Sequence, residues 1–131
     1  MPTNTAGSTA RDYGKQLVHY LRLNVVFGDS GVAKTVGVLP AGAQIIKPMS
    51  GVAVNTVFNA GSTNVIDIGT AADDDFFGTD LALGTAAFVP LDEAVNYVVA
   101  ADTTIVATVA LSGTAATTGS AEVVICYIPR Y

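Results

Sequence analysis

Hydrophobic and polar residues alternate with a period of two along most of this chain. The clearest case is Gln16–Phe27, where one face carries the apolar side chains and His19, namely Leu17, His19, Leu21, Leu23, Val25 and Phe27. Such alternation is typical of a strand with one face on a core. Gln16–Phe27 is therefore predicted to be the first strand, with Tyr20, Arg22 and Asn24 on its half-exposed face.

Comparable runs, bounded by Pro, Gly and short polar loops, predict the remaining strands. They are Ala33–Leu39, Gln44–Lys47, Val52–Phe58, Val65–Gly69, Gly84–Leu91, Asn96–Ala100, Thr103–Leu111 and Ala121–Ile128. Two neighbouring pairs are predicted to form hairpins, because only short polar loops separate their members. These are Val52–Phe58 with Val65–Gly69, and Asn96–Ala100 with Thr103–Leu111.

The segment Thr70–Leu83 interrupts the alternation. Thr70 is predicted to cap a short helical turn, with Asp73 and Asp74 in the first turn, where the helix dipole favours negative charge. Phe76 and Phe77 are predicted to anchor the segment to the core.

Eight or nine short strands and no long helical period indicate an all-β fold, either a two-sheet β-sandwich or a barrel. Eight strands in two sheets favour a jelly-roll-like sandwich. The length of 131 residues fits one domain. We expect residues 1–14, rich in Ser, Thr, Gly and Asn, to be a flexible N-terminal arm, and residues 15–131 to be a single β-sandwich domain.

The chain carries few charges. Charged residues make up 13% of the sequence, against about 25% in an average domain. A surface covered by small neutral residues resists association less than a charged surface does. The composition favours a protein that is bound to neighbours, although a small monomer with a neutral surface is the alternative.

The net charge of −5 argues against a nucleic-acid-binding protein. Residues 1–50 hold five basic and two acidic groups, whereas residues 51–131 hold one basic and nine acidic groups. Either copies of the chain present complementary patches, or folding mixes the two halves on one surface. The N-terminus has no apolar signal-peptide core, and no apolar run approaches the ~20 residues that a membrane span needs. We therefore expect synthesis in a cytoplasm and no membrane contact.

The sequence offers little for catalysis. His19 and Cys126 are the only residues of their types, and no nucleophile-elbow or phosphate-loop motif is present. Cys126 lies in an apolar run and is predicted to be a small buried hydrophobe. We therefore expect no enzyme activity, no catalytic residues and no cofactor.

Five acidic residues lie close together around the interrupted segment. They are Asp67, Asp73, Asp74, Asp75 and Asp80. Carboxylate oxygens in a loop can bind Ca²⁺, but the spacing of an EF-hand is absent. The residues Asp73, Asp74 and Asp75 are therefore weak candidates for a metal site, and a solvated cap or a patch for a basic partner is the preferred interpretation.

Aromatic and arginine side chains near the ends of the chain and in the acidic loop are predicted to form interfaces, because interfaces are enriched in these residue types. The candidates are Arg11, Tyr13, Phe76, Phe77, Arg130 and Tyr131.

Two stretches resemble a known group of proteins. The run VLPAGAQIIKPMSGVAVNTVFNAGSTNVIDIGTAADDDFFGTDLALGTAAF is similar to small structural proteins encoded in the head modules of tailed phages and prophages, as is ADTTIVATVALSGTAATTGSAEVVICYI. The turn Leu39–Ala43 and the run Asn59–Asp73 are the most characteristic parts. The resemblance covers about Ala33–Ile128 and supplies no active-site residues.

This resemblance implies a capsid decoration (cement) protein with a jelly-roll fold. Such a protein binds the major capsid protein on the outer shell and stabilises the head, and it acts as a homo-oligomer, a dimer or a trimer. Two alternatives stay open at this point. One is a head-completion or tail structural protein, and the other is a carbohydrate- or receptor-binding β-sandwich module.

Overall fold

The computed structural model describes residues 17–129, which form nine strands and two short 3-10 turns. The strands are β1 (His19–Val26), β2 (Ala33–Leu39), β3 (Gln44–Ile45), β4 (Gly51–Thr56), β5 (Thr63–Gly69), β6 (Gly78–Ala82), β7 (Phe88–Pro90), β8 (Thr103–Ser112) and β9 (Ser120–Ile128). The 3-10 turns are Phe27–Asp29 and Lys47–Met49.

The strands form two antiparallel sheets that pack face to face. The larger sheet has the order β1-β9-β4-β7, with the short β3 also paired to β9, and the smaller sheet has the order β2-β8-β5-β6. Strands from the two halves of the chain pair as β1 with β9, β2 with β8, β4 with β7 and β5 with β6. One long antiparallel hairpin rolled into two sheets gives this pairing, which is the jelly-roll topology. The predicted two-sheet β-sandwich is therefore confirmed.

The core lies between the sheets and follows the period of two. The pattern is clearest in β9, where alternate residues are buried and Val123 and Ile125 are both fully buried. Ile66 and Ile68 of β5 meet them from the smaller sheet. Because two sheets pack about 10 Å apart, side chains of this size fill the space between them.

The prediction for the long strands agrees closely with the structure. The predicted bounds of β2 are those observed, and β1 and β9 differ by only one to three residues at their ends. In β1 the predicted inner face is half-buried or buried from His19 to Val25, while Tyr20 on the other face is exposed. The prediction is wrong for Leu17 and Phe27, which are exposed and lie outside the strand.

The first predicted hairpin is wrong, because β4 and β5 belong to different sheets. The loop between them crosses from one sheet to the other and is held at the crossing by Asn59. The side-chain oxygen of Asn59 accepts hydrogen bonds from the amides of Thr117 and Thr118. These bonds fix the loop to the β8–β9 connection, so β5 begins in the smaller sheet.

The second predicted hairpin is also wrong. Residues 96–100 lie beside β3 at the edge of the larger sheet instead of pairing with β8. The amide of Ile45 donates to the carbonyl of Tyr97 at 2.8 Å, and the amide of Val99 donates to the carbonyl of Ala43 at 3.0 Å. Between this segment and β3, one pair of residues, Gln44 and Val98, forms an isolated antiparallel β-bridge.

The first and last described residues lie at the same end of the sandwich. His19 at the start of β1 is opposite Tyr127 of β9, and Tyr127 is opposite Ile45 of β3. The next neighbour across is Tyr97, through its bond to Ile45. We call this the terminal end of the sandwich.

Candidate interaction surfaces

The segment Thr70–Phe77 forms two tight turns at the terminal end, so the predicted helical turn is wrong. The Thr70 hydroxyl accepts a hydrogen bond from the amide of Asp73 at 3.2 Å, and the amide of Thr70 donates to the carbonyl of Asp73 at 2.8 Å. This Ser/Thr-type turn satisfies the backbone locally and competes with a helix.

Gly69 allows the turn to fold back onto β5. A Cβ atom at this position would lie 2.2 Å from the carbonyl oxygen of Asp73 and 2.6 Å from the carbonyl carbon of Asp74. Only glycine fits such a close backbone approach. The acidic residues are therefore held against the end of β5.

Phe77 belongs to the core, as its predicted anchoring role requires. Its side chain is 1% exposed and packs edge-to-face against Phe76, with ring centroids 4.9 Å apart. Phe77 has no surface with which to contact a partner, so the interface prediction is wrong for this residue. Phe76 is half-buried, and its role in an interface stays a prediction.

The carboxylates of Asp73, Asp74 and Asp75 form a compact group, with oxygen atoms within 4.8 Å of one another; Asp73 and Asp74 are exposed and Asp75 is half-buried. A hydrogen bond to Asp73 is the main cause that raises the pKa of Asp75. Within residues 17–129, nothing besides this grouping points to a metal ion, so the three residues stay weak candidates. We call them the acidic cluster.

Asp67, next to the acidic cluster, holds the start of β6. Its Oδ1 accepts a hydrogen bond from the amide of Asp80 at 2.7 Å. Partial burial raises the pKa of Asp67, and the nearby carboxylates of Asp80, Asp74 and Asp75 raise it further.

The basic side chains of residues 17–129 are all engaged elsewhere. Arg22 forms a salt bridge with Glu122, and Lys34 forms one with Asp29 at 3.1 Å. Lys47 donates to the carbonyl of Glu93 at 3.0 Å, which leaves the acidic cluster without a salt-bridge partner in the described part of the chain.

A cleft of about 460 Å³ opens at the terminal end, between the Thr70–Phe77 turns and the segment 96–103. Its walls are mostly apolar and include Phe76, Val98 and Val99, while Asp73 and Asn96 add polar groups. The prediction missed this cleft, because its two walls are separated along the chain and no local pattern marks them.

The outer face of the larger sheet presents few charges and several exposed apolar side chains. They include Tyr20 and Val26 of β1, Phe88 of β7 and Ile128 of β9. The salt bridge between Arg22 and Glu122 crosses the same face. Such a surface suits contact with another protein better than long exposure to water.

Cys126 lies on this outer face and is half-buried, so the prediction of a buried residue is wrong. Burial raises the pKa of its thiol, which keeps the thiol protonated near neutral pH. His19 shares the inner face of β1 with Leu21, so His19 and Cys126 lie on opposite sides of the sheet. The Nε2 atom of His19 is buried and has no hydrogen-bond partner among the described residues.

The remaining interface candidates are Arg11, Tyr13, Arg130 and Tyr131. All four lie outside the described residues, so their role stays a prediction. No helix within residues 17–129 is both long enough and apolar enough to pass through a lipid bilayer.

Comparison with known proteins gave similarity in structure only. No protein-family model and no curated protein sequence matched the chain. A chain in the capsid asymmetric unit of cyanophage Pam1 has a similar fold, with a TM-score of 0.65 and 22% identity over 99% of this chain and 100% of that chain.

A second similar fold occurs in the acid-stable capsid structure of the Helicobacter pylori bacteriophage KHP30. The TM-score is 0.57, with 18% identity over 88% of this chain and 91% of that chain. At these identities the likeness establishes a shared fold. Both similar chains come from phage capsid structures.

Proposed function

We propose that this protein is a virion structural protein that decorates the outer shell of a phage head. It binds the major capsid protein as a cement protein and stabilises the head. The observation that carries the proposal is the fold shared over almost the whole chain with a chain of the cyanophage Pam1 capsid. The sequence resemblance to phage head-module proteins supports the same conclusion.

The surface chemistry is consistent with this role. A cement protein adds contact area between subunits, and a standard interface covers roughly 800 Å² on each partner. We propose the outer face of the larger sheet as the capsid-binding surface, because Tyr20 and Phe88 there are exposed aromatic residues on a face with few charges. Aromatic side chains of this kind often supply most of the binding energy of an interface.

The other expectations follow from the same proposal. The protein is made in the host cytoplasm, is located on the capsid surface, and contacts further copies of itself as a dimer or trimer. The described residues carry three basic and ten acidic side chains. This charge is unfavourable for nucleic-acid binding, so the proposal includes no nucleic-acid partner. It includes no cofactor either, because the sequence resemblance supplies no active-site residues.

Co-sedimentation with capsids that lack this protein tests the proposal. We expect the recombinant protein to sediment with such capsids at a saturating, stoichiometric ratio. Tyr20→Glu should weaken binding at least tenfold, because it places a charge in the proposed interface. Val38→Glu is the matched control, since Val38 is 52% exposed and lies in the smaller sheet.

The outcomes separate the alternatives. Equal weakening by both substitutions would contradict the proposed face, and no sedimentation of the wild-type protein would contradict the cement role. Retention on a glycan array without capsid binding would favour a carbohydrate-binding module instead.

Deletion of Met1–Gly14 tests the contribution of the N-terminal arm. We expect the truncated protein to keep its fold and to bind capsids more weakly, because an arm adds contact area beyond the sandwich. Thermal unfolding checks the fold, and the sedimentation assay checks binding. Unchanged capsid occupancy would show that the arm has no role in attachment.

A further inference from the structure

The cleft at the terminal end is suited to bind an aromatic side chain together with a neighbouring positive charge. Phe76, Val98 and Val99 provide apolar walls, and a volume of about 460 Å³ accommodates an aromatic ring together with the atoms around it. Asp73 lines the cleft as well and belongs to the acidic cluster. An aromatic ring would bury apolar area there, and a cation would meet the carboxylate.

Few basic side chains of this chain are available to pair with Asp73. Within the described residues, Arg22, Lys34 and Lys47 are engaged with other groups. The remaining basic residues of the sequence are Arg11, Lys15 and Arg130. Within this chain, therefore, only the segments outside residues 17–129 hold further basic side chains that could complement the acidic cluster.

Residue spacing distinguishes between these segments. Arg11 and Tyr13 are two positions apart, so in an extended segment both side chains point to the same face, while Asp12 points away. Arg130 and Tyr131 are adjacent, so an extended segment directs them to opposite faces. Only the N-terminal arm can therefore present a guanidinium and an aromatic ring to the cleft together.

The arm can reach the cleft within one molecule. His19, Tyr127, Ile45 and Tyr97 lie on four neighbouring segments, so three strand spacings, about 14 Å in all, separate His19 from Tyr97. Tyr13 is six residues before His19, and six extended residues span about 20 Å. A short tether of this kind gives an effective concentration in the millimolar range.

We propose that the cleft seats Arg11 and Tyr13 of the chain's own N-terminal arm. The ring of Tyr13 occupies the apolar part beside Val98, and the guanidinium of Arg11 pairs with Asp73. The ten residues before Arg11 then leave the body from a fixed point, from which they can extend by about 35 Å. A pre-positioned arm loses less conformational freedom when it meets a partner.

The rate of tryptic cleavage after Arg11 tests this proposal, because a seated arginine is inaccessible to the protease. Mass spectrometry would follow the cleavage in the full chain and in a synthetic peptide of residues 1–16. We expect cleavage of the full chain to be at least tenfold slower than cleavage of the peptide. Tyr13→Ala should restore the peptide rate, because the ring no longer holds the segment.

Substitutions of residues that line the cleft test the same contact. Ala100→Trp fills the cleft and should speed cleavage about tenfold, while Asp73→Asn should speed it two- to threefold. The matched controls are Ala115→Trp, in the exposed loop between β8 and β9, and Asp80→Asn, an exposed acid that does not line the cleft. Both controls should leave the wild-type rate unchanged.

Three results would overturn the proposal. The first is cleavage of the wild-type chain at the peptide rate, and the second is equal cleavage of Tyr13→Ala and the wild type. The third is protection that disappears on dilution, because it would place the arm in the cleft of another copy. Tyr13→Ala changes no residue between 17 and 129, so it stays informative even if Ala100→Trp disturbs the fold.

Discussion

The long strands and the segment from Thr70 to Asp102 are stabilised in different ways. Strands β1, β2, β8 and β9 have seven to ten residues each and contribute side chains to one continuous core, with the most regular alternation in β9. The segment 70–102 contains only the short strands β6 and β7, of five and three residues. Regular alternation therefore accounts for the first region but not for the second.

Individual side-chain bonds to the backbone hold the second region in place. Asp92 accepts a hydrogen bond from the amide of Thr79 at 3.0 Å, and Asp102 accepts one from the amide of Ala41 at 2.8 Å. The hydroxyl of Tyr97 donates to the carbonyl of Glu93 at 2.6 Å. Loss of core volume should therefore affect the whole fold, whereas loss of a single polar contact should have smaller or local effects.

The largest expected effect comes from the core of the long strands. Ile125→Ala removes a fully buried side chain from β9 and should lower the free energy of unfolding by about 3 kcal/mol, through lost burial and a cavity. Val124→Ala, at the adjacent half-buried position on the outer face, should cost less than about 1 kcal/mol. Urea denaturation measures both, and equal costs would contradict the assignment of the inner face.

Ser50 should show the next largest effect, since it is a fully buried polar residue. Its hydroxyl donates to the carbonyl of Ile46 at 2.9 Å and accepts from the amide of Cys126 at 2.9 Å. Ser50→Ala leaves that amide without a partner and should cost about 1–3 kcal/mol. Ser112→Ala, at an exposed position, serves as the control, and a similar small cost for both variants would refute the role of Ser50.

Tyr97→Phe should have a smaller and more local effect. It removes the hydroxyl that donates to Glu93 while keeping the ring against Phe77, at a centroid distance of 5.6 Å. We expect a cost of about 1 kcal/mol, with faster amide hydrogen exchange confined to the segment 70–102. Faster exchange in β8 and β9 to the same degree would show that the two regions unfold together.

The smallest effect should appear in the pH dependence of stability, and its sign should differ between Asp29, in the turn after β1, and Asp67 of β5. A hydrogen bond from the amide of Val26 lowers the pKa of Asp29, so Asp29 stabilises the fold above the unfolded pKa and loses this contribution as the pH falls. Burial raises the pKa of Asp67, so its ionisation destabilises the fold as the pH rises through the interval above the unfolded value.

Asn substitutions should separate the two contributions. Relative to the wild type at neutral pH, Asp29→Asn should be less stable and Asp67→Asn more stable, and both differences should shrink when the carboxylates are protonated. Urea midpoints at several pH values between about 3 and 7 would measure this. A difference of the same sign for both variants would contradict the opposite pKa directions.

The same contrast explains how far the sequence predicted the structure. The bounds of β2 were predicted correctly, because Ala33–Leu39 is flanked by glycine and proline turns, although a bulge between Thr35 and Gly37 interrupts its alternation. The strand β6 was missed, because Gly78 and Asp80 are typical of a loop and Asp80 has a positive φ of 50°. A bond from its amide to Asp67 stabilises that geometry, and residues so far apart in the chain give no local signal.

The candidate surfaces were predicted less completely than the fold. The acidic cluster and the anchoring of Phe77 were recognised from residue types alone. The cleft was not, since the segment 96–100 alternates like a strand, and only its bonds to Ala43 and Ile45 place it beside β3. Strand alternation indicates which side faces a core, but it does not determine which sheet a strand joins.

Cryo-electron microscopy of particles purified from cells that produce this chain would test the central claim, that it decorates a phage head, most directly. We expect density for the jelly roll on the outside of the head, in a fixed ratio to the major capsid protein. The outer face of the larger sheet should lie against the shell. Particles whose heads lack this density, or that carry the chain only at the tail or the portal, would contradict it.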